Sequence, residues 1–380
     1  MWIREEAKHL FLYAPEGISV RAESIWMRTK KRNPRISIAK GIAIILMVMG
    51  HALHLTPSGF EGFVNLFHMP LFFFTAGYCF NTDHYAYPSA FLRRRVKGIL
   101  LPYFLWSVVF IVLHNPFISC GLIEGTNYSV SDVIFRVFKI LTFQLYTEDL
   151  MGAYWFLPAL FIAEVFAFTL LRLLEYKRGA SGFLCLAAFA LMSLAGKVLI
   201  HRIPYFWMFG NGMFAVVFFA AGHYFNRFEA VICKGRFHCA VILSSAAVVL
   251  LSGFAFWRTS LTSCSALNSP LYVLSAIGGI LIVMFFSSIL ARTPFFLKLL
   301  TYIGDHTLSI LTWHFLSFKI ISCLLIMSGE RGQLDEFPTI AILSPRWWWA
   351  YSIVGVFIPL LISMIYGYLI CAIRERRRCA

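Results

Sequence analysis

Three titratable side chains lie in an otherwise apolar stretch near the start of the chain and are the first candidates for chemistry. Lys40, His51 and His54 belong to RISIAKGIAIILMVMGHALHL, residues 35–55. An α-helix rises about 1.5 Å and turns about 100° per residue, so Lys40 and His51 share one helix face about 16 Å apart. Ionisable groups inside apolar helices usually face a protein interior or a water-filled cavity and mark function. Lys40 alone could instead extend its long side chain to the lipid headgroups.

A second candidate histidine follows the turn after this stretch. His68 lies in GFVNLFHMPLFFFTAGYCF, and Pro57 and Gly59 turn the chain before it. In an antiparallel pair of helices, His51 and His68 would lie at similar depth. A metal site there needs further ligands, and no acidic one stands out in the sequence. We therefore expect no metal.

A cluster of cations precedes the third apolar stretch, in FLRRRVKGILLPY. Its members are Arg93, Arg94, Arg95 and Lys97. They could simply be the basic residues that flank a membrane helix on its cytoplasmic side. Together with Lys40 they gather cationic donors suited to phosphate groups. An extended coenzyme A arm measures about 15–20 Å, comparable with the helical separation of Lys40 and His51. A nucleotide held at these cations could thus present its thioester near His51.

The composition of the 380-residue chain indicates a membrane protein. Hydrophobic residues make up 59% and charged residues 13% of it, whereas soluble proteins average about 25% charged residues. The formal net charge of +15 is explained by basic residues in cytoplasmic loops, and we expect no nucleic acid partner. The nine cysteines show no CxxC spacing, which argues against a disulfide framework or a zinc site. Cys120 and Cys264 could pair outside the membrane.

The apolar pattern predicts an all-α, polytopic membrane helical bundle with about ten transmembrane helices, since a span needs about 20 mostly apolar residues. The predicted spans are residues 37–55, 62–80, 98–117, 153–174, 181–200, 205–225, 237–257, 269–290, 302–325 and 347–373. Most lysines and arginines fall on one side of this arrangement, which places both termini in the cytoplasm. Residues 1–36 are then a basic N-terminal tail, residues 37–373 the membrane domain and residues 374–380 a basic C-terminal tail. The basic flank that begins at Met27 suggests that residues 1–26 are dispensable or come from a wrongly assigned start codon.

Three further features stand out between and within the spans. The outer connection contains VSDVIFRVFKILTF, whose helical apolar spacing predicts a helix along the membrane surface. Its apolar side is expected to hold Val130, Val133, Ile134, Val137 and Ile140. Glu164, the only acidic residue well inside a predicted span, could pair with a basic residue. His314, in LTWHF, lies in the middle of a span, where a structural histidine is the simplest interpretation.

Five segments, in this order, resemble the acyltransferase-3 family, the integral-membrane O-acyltransferases that decorate bacterial surface glycans. They are KGIAIILMVMGH, FHMPLFFFTAGY, RRRVKGILLPY, YWFLPALF and, more weakly, HTLSILTWHF. The family's first-helix motif is an arginine, ten residues and then the essential histidine, and Lys40 and His51 take these places. The family's Arg-x-x-Arg pattern appears as Arg94-x-x-Lys97. Lysine keeps the charge at both places but lacks the planar fork of arginine.

The resemblance implies acyl transfer, in the first place of acetyl, from cytoplasmic acyl-CoA to a hydroxyl of an extracytoplasmic or lipid-linked glycan. His51 would be the general base, and His68 would orient the site or donate to the developing oxyanion. The residues expected to bind the phosphates of the donor are Lys40, Arg94, Arg95 and Lys97. Acetyl-CoA would be a co-substrate, so no tightly bound cofactor is expected. The implied location is the bacterial cytoplasmic (inner) membrane.

The acceptor is expected to contact Tyr154, Trp155 and His314, although the two aromatic residues could equally belong to an interfacial belt. No G-x-S-x-G motif is present, which favours direct transfer over an acyl-enzyme. Two other classes of function stay open. A transporter could use the intramembrane lysine and histidines for proton coupling, but no repeat symmetry is evident. A membrane scaffold or receptor would not need His51.

Overall fold

Helices account for all the regular secondary structure in the part of the chain that the computed structural model describes. The described residues are 33–52, 60–81, 87–144, 148–232, 235–255, 259–330, 334 and 345–379. His54, Pro57, Gly59 and residues 1–26 lie outside them. Arg35–Ala380 forms one compact unit, and only the last two residues of the other unit, Met1–Pro34, are described. The all-α prediction is confirmed for these residues.

Twelve helices follow one another along the described chain. They are α1 (Pro34–Ala52), α2 (Phe60–Tyr78), α3 (Pro88–Ser119), α4 (Val130–Leu141), α5 (Asp149–Tyr176), α6 (Gly182–Arg202), α7 (Trp207–Ile232), α8 (Gly235–Ala255), α9 (Ser269–Leu290), α10 (Pro294–Asp305), α11 (Thr307–Met327) and α12 (Trp348–Cys379). Within α3, Val96–Leu100 is a π-helical turn, and α5 begins with a 3₁₀ turn over Asp149–Trp155.

Eight of these helices are long and apolar enough to cross a membrane. They are α1, α3, α5, α6, α7, α9, α11 and α12. The apolar segment of α7 includes the 3₁₀ turn that precedes it. The chain is therefore a multi-pass membrane protein. Each of the ten predicted spans overlaps a helix of the described chain, but α2 and α8 are not among the eight. The number of ten spans and the cytoplasmic side of both termini stay predictions.

Helix α7 lies at the centre of the packing, against α2, α5 and α6. Its aromatic side chains Phe214, Phe218 and Phe219 are almost fully buried. At the crossing with α2, Gly222 lies against the carbonyl of Phe74 and Gly77 against the carbonyl of Phe219. Small residues let two membrane helices approach until their backbones touch. This close contact holds α2 against the middle of the bundle.

We expect Gly222→Ala to destabilise the protein by about 3 kcal/mol or more, because the added methyl group overlaps backbone atoms of α2, which cannot move aside as a side chain can. Gly98→Ala is the matched control, since a methyl group there meets open space. Thermal unfolding in detergent measures both. Equal melting temperatures for the two variants would contradict the close packing of α2 and α7.

The predicted span 302–325 is wrong at its start. The structure ends α10 at Asp305 and begins α11 at Thr307, with His306 at the break. Pro294, which needs no hydrogen-bond partner for its nitrogen at a helix start, opens α10 as a separate helix. Its end packs tightly on α1, where Gly304 meets the Ser37 carbonyl and Ser37 Oγ donates to Asp305 Oδ1 at 2.9 Å.

The predicted surface helix is present as α4, and the five apolar residues predicted to share one side lie within an arc of about 120° around its axis. Ser129 and Asp132 form a capping box at its start, in which each side chain bonds the other residue's backbone nitrogen. Val130 and Ile134 are exposed, whereas Ile140 is buried. One edge of this apolar side packs on the protein, whereas the other edge is exposed. The exposed side suits a lipid surface.

Candidate functional site

Lys40 and His51 lie on the same uninterrupted helix, α1, and both side chains are half-buried. Proline is absent between them, and the apolar and small residues in between allow an unbroken α-helix. The eleven-residue spacing therefore corresponds to about 16 Å along the axis. One helix carries the cation and the imidazole at its two ends.

The end of α1 that holds His51 packs on α11. The ring of His51 lies 5.5 Å from the ring of His314 and 4.8 Å from that of Phe315, between centroids. His314 Nδ1 lies 3.0 Å from the Ile310 carbonyl oxygen and 3.1 Å from that of Leu311. A carbonyl can only accept, so Nδ1 carries the hydrogen and Nε2 carries the lone pair. His314 is fully buried, and its Nε2 has no hydrogen-bond partner among the described residues.

His68 lies buried on α2. Its Nδ1 donates to the Val64 carbonyl at 2.7 Å. In the neutral ring this bond uses the single N–H, so Nε2 can accept a hydrogen bond but cannot donate one. This arrangement disfavours His68 as a donor to an oxyanion. An orienting role beside His51 stays a prediction.

The four predicted phosphate ligands of the donor differ in their surroundings. Arg94 and Lys97 are exposed on α3, whereas Arg95 Nε lies 2.7 Å from Glu164 Oε2 on α5. The Glu164 side chain is only 2% exposed, so its charge is held inside the protein by this arginine. The prediction that Glu164 pairs with a basic residue is confirmed. The pair fixes the cationic segment of α3 to α5.

A π-helical turn, Val96–Leu100, lies within the cationic segment and packs on α5. Its cause is visible in the sequence. Pro102 has no N–H for the carbonyl of Gly98, four residues earlier, and its ring would collide with that carbonyl in a regular α-helix. The wider turn relieves this conflict. Such turns inside α-helices occur frequently at functional sites.

Two of the three predicted acceptor residues, Tyr154 and Trp155, lie at the start of α5, whereas His314 lies on α11. Thr312 Oγ1 donates to the Leu308 carbonyl at 2.8 Å, so it accepts from the Tyr154 hydroxyl at 2.5 Å. Tyr154 is 1% exposed and braces the helix that carries His314. Trp155 is half-buried, with its ring 5.4 Å from that of Trp207. Trp155 is thus the more accessible of the two aromatic residues.

The sequence interpretation missed a polar cluster that ties α4 to the bundle. His114 Nδ1 lies 2.9 Å from Glu148 Oε2, and the His114 ring stacks on Tyr128 at 3.4 Å. Arg136 lies over the same tyrosine ring at 3.9 Å and 3.8 Å from Glu148 Oε1. Burial raises the pKa of the Glu148 carboxyl, although His114 and Arg136 oppose the shift. These residues are far apart in sequence, and no motif connects them.

A second missed cluster holds the other end of α1. Arg35 Nη1 lies 2.6 Å from Glu229 Oε1 on α7, and the Tyr78 hydroxyl donates to Glu229 Oε2 at 2.6 Å. One carboxylate thereby joins α1, α2 and α7. The polar contacts at this end and the ring contacts of His51 at the other fix the position of α1 in the bundle.

Cysteine and metal chemistry find little support in the described chain. Cys120 is exposed, Cys264 is buried, and neither forms a disulfide. Within the described ranges, no group of three or more histidine, cysteine, aspartate or glutamate side chains could hold a metal ion. Lys197, another lysine within an apolar helix, is buried and donates to the Leu261 carbonyl at 2.6 Å.

Comparison with known proteins identifies the domain. No curated protein and no solved structure matches the chain. A family model described as an acyltransferase domain matches residues 33–367. This range covers nearly the whole chain and includes both ends of α1, the cationic segment and His314. The chain therefore belongs to the acyltransferase-3 family and is a multi-pass membrane acyltransferase.

Proposed function

We propose that the protein transfers an acetyl group from cytoplasmic acetyl-CoA to a hydroxyl of an extracytoplasmic or lipid-linked glycan. The observation that carries this proposal is the arrangement on α1, with a cation near one end and an imidazole beside a second imidazole near the other. A donor that binds at the cation and reacts at the imidazole crosses part of the membrane along this helix. The proposed location is the bacterial inner membrane, where acetyl-CoA and the glycan lie on opposite sides.

The proposed donor site combines Lys40 with Arg94 and Lys97, whose exposed side chains can reach phosphate groups. Arg95 is a weaker candidate, because its guanidinium already neutralises Glu164. Its proposed role is to hold the cationic segment in place. The pantetheine arm, about 15–20 Å when extended, matches the helical separation of Lys40 and His51.

In the proposed reaction, His51 removes the proton of the acceptor hydroxyl as its oxygen attacks the thioester carbonyl. The C–S bond then breaks, and the proton from His51 passes to the departing thiolate. The free energy of reaction comes from the thioester, so no further reactant is required. Trp155 is the proposed aromatic contact for the sugar ring, and the buried Tyr154 supports the helix behind His51.

Mass spectrometry of surface glycans from cells with and without the gene tests the proposal. Loss of O-acetyl groups on deletion, and their return on complementation, would support it. Purified protein in liposomes should in addition release coenzyme A only when both acetyl-CoA and a glycan are supplied. Proton-coupled solute flux without acetyl-CoA would instead favour a transporter.

Replacing both Arg94 and Lys97 by alanine should weaken acetyl-CoA binding by about tenfold or more at low salt, because two charge-assisted contacts to phosphate are lost. The difference from wild type should shrink as salt screens the remaining charges. The control replaces Arg292 and Lys298, an exposed arginine and lysine near the start of α10. Binding of radiolabelled acetyl-CoA is measured for the purified wild type and for both double variants. Equal affinities of the two double variants at low salt would exclude the phosphate role.

A further inference from the structure

The most unusual buried polar atom near α1 is Nε2 of His314. Its ring is fully buried, its Nδ1 hydrogen is committed to the carbonyls of Ile310 and Leu311, and Nε2 has no hydrogen-bond partner in the described part of the chain. A buried acceptor without a partner costs free energy. Such a group in a native protein calls for a functional explanation.

His51 is the candidate partner whose ring lies beside that of His314. The two rings lie 5.5 Å apart and Phe315 contacts both, at 4.8 Å from His51 and 4.0 Å from His314. A hydrogen bond to Nε2 requires the half-buried His51 ring to rotate so that one of its nitrogens faces Nε2. Hydrogen bonds between catalytic groups are often long in the resting state and shorten when substrate binds.

We infer that His314 is the positioning residue of His51: its Nε2 accepts a hydrogen bond from one ring nitrogen of His51, which leaves the other nitrogen of His51 as the base. This inference rests on the proposed function. Catalytic histidines need a partner that selects the tautomer and the ring orientation. A carboxylate usually does this, but Glu164 is already paired with Arg95.

Burial assigns the two roles to the two histidines. His51 is half-buried and can meet a substrate hydroxyl, whereas His314 is fully enclosed behind it. His314 therefore acts through His51 and does not contact the substrate. The carbonyls that hold its Nδ1 hydrogen keep Nε2 in the accepting form, so the pair has a fixed direction: His51 donates and His314 accepts.

Two substitutions of His314 test the inference. Glutamine can place an amide oxygen near the position of Nε2 and accept the same hydrogen bond, while leucine cannot. We expect His314→Leu to lower kcat for acetyl transfer by about 100-fold, with KM for acetyl-CoA changed less than about twofold, and His314→Gln to recover most of the loss. Ser317→Ala, one turn further along α11, is the control, because its hydroxyl donates only within the helix, to the Trp313 carbonyl. Equal activities of the glutamine and leucine variants would overturn the inference.

The reactivity of His51 provides a readout that needs no turnover. Diethyl pyrocarbonate modifies the free nitrogen of a neutral imidazole, and peptide mass spectrometry follows His51 specifically. We expect slower modification of His51 in His314→Leu than in wild type, and a wild-type rate in His314→Gln.

If the modification rates of the leucine and glutamine variants differ in this way while the wild type shows no acetyl transfer, the proposed function fails and the histidine pair stands. If the wild type is active but neither kcat nor the modification rate distinguishes glutamine from leucine, the pair fails alone. Should the leucine variant not fold, a glutamine variant as inactive as His51→Ala would also overturn the inference.

Discussion

His51→Ala should abolish acetyl transfer, by about 1,000-fold or more, while acetyl-CoA still binds. General base catalysis by one side chain typically contributes about 100- to 10,000-fold. The donor phosphates are proposed to bind at Lys40 and α3, about 16 Å away along the helix, so truncation at His51 leaves that site intact. The measurement is coenzyme A release from acetyl-CoA and a glycan acceptor by purified protein in liposomes.

His306→Ala is the matched control for this variant. His306 is also a half-buried histidine at a helix end, but it lies at the break between α10 and α11, and its Nδ1 donates to the Tyr302 carbonyl at 2.7 Å. It should retain wild-type turnover. Acetyl-CoA binding and thermal unfolding, measured on both variants, separate loss of chemistry from loss of fold. Normal turnover in His51→Ala would remove His51 from the mechanism.

Glu164→Ala should destabilise the protein by about 3–5 kcal/mol, the cost typical of breaking a buried ion pair by removing one partner. The Glu164 and Arg95 side chains are 2% and 20% exposed, and their charged atoms lie 2.7 Å apart. Removal of the carboxylate leaves the mostly buried guanidinium without its counter-charge. Thermal unfolding in detergent measures the effect. Glu124→Ala, which removes an exposed carboxylate, should leave the unfolding temperature unchanged.

The double variant Arg95→Ala with Glu164→Ala sharpens this prediction. If the cost of Glu164→Ala comes from an uncompensated charge, removal of both partners should be less destabilising than the sum of the two single losses. If the stability losses of the two single variants add up to that of the double variant, Glu164 contributes by packing alone. Acetyl-CoA binding should also weaken in Glu164→Ala, since the pair anchors the segment that carries Arg94 and Lys97.

The sequence was informative wherever one helix contains the whole pattern. Lys40 and His51 lie on a single helix, so the geometry of an α-helix alone relates them. The apolar stretches likewise predict a helix at each of the ten places. The position of the break at His306 was not predicted, because α10 and α11 are both apolar enough to read as one segment. Only their separate packing against neighbouring helices distinguishes them.

Contacts between helices were beyond prediction. His314 and Glu164 were both noticed as unusual residues within spans, but their partners, His51 and Arg95, lie on helices that are distant in sequence. The partnership depends on which helix faces pack together, and each of these helices carries apolar side chains of its own on every face. Amphipathic patterns that reveal the buried face of a helix in soluble proteins are therefore weak here.

The π turn at Val96–Leu100 has a consequence for how the chain tolerates evolutionary change. In a π turn the backbone hydrogen bond closes one residue later than in an α-helix. If this segment closed to a regular α-helix with the same residues, everything before it would rotate by about 100° about the axis of α3. Arg95 would then turn away from Glu164, and Arg94 would lose its orientation relative to Lys97. Pro102 opposes this closure, because its ring would collide with the Gly98 carbonyl in a regular helix. A substitution of Pro102 would therefore change the direction of all the cations before the turn together.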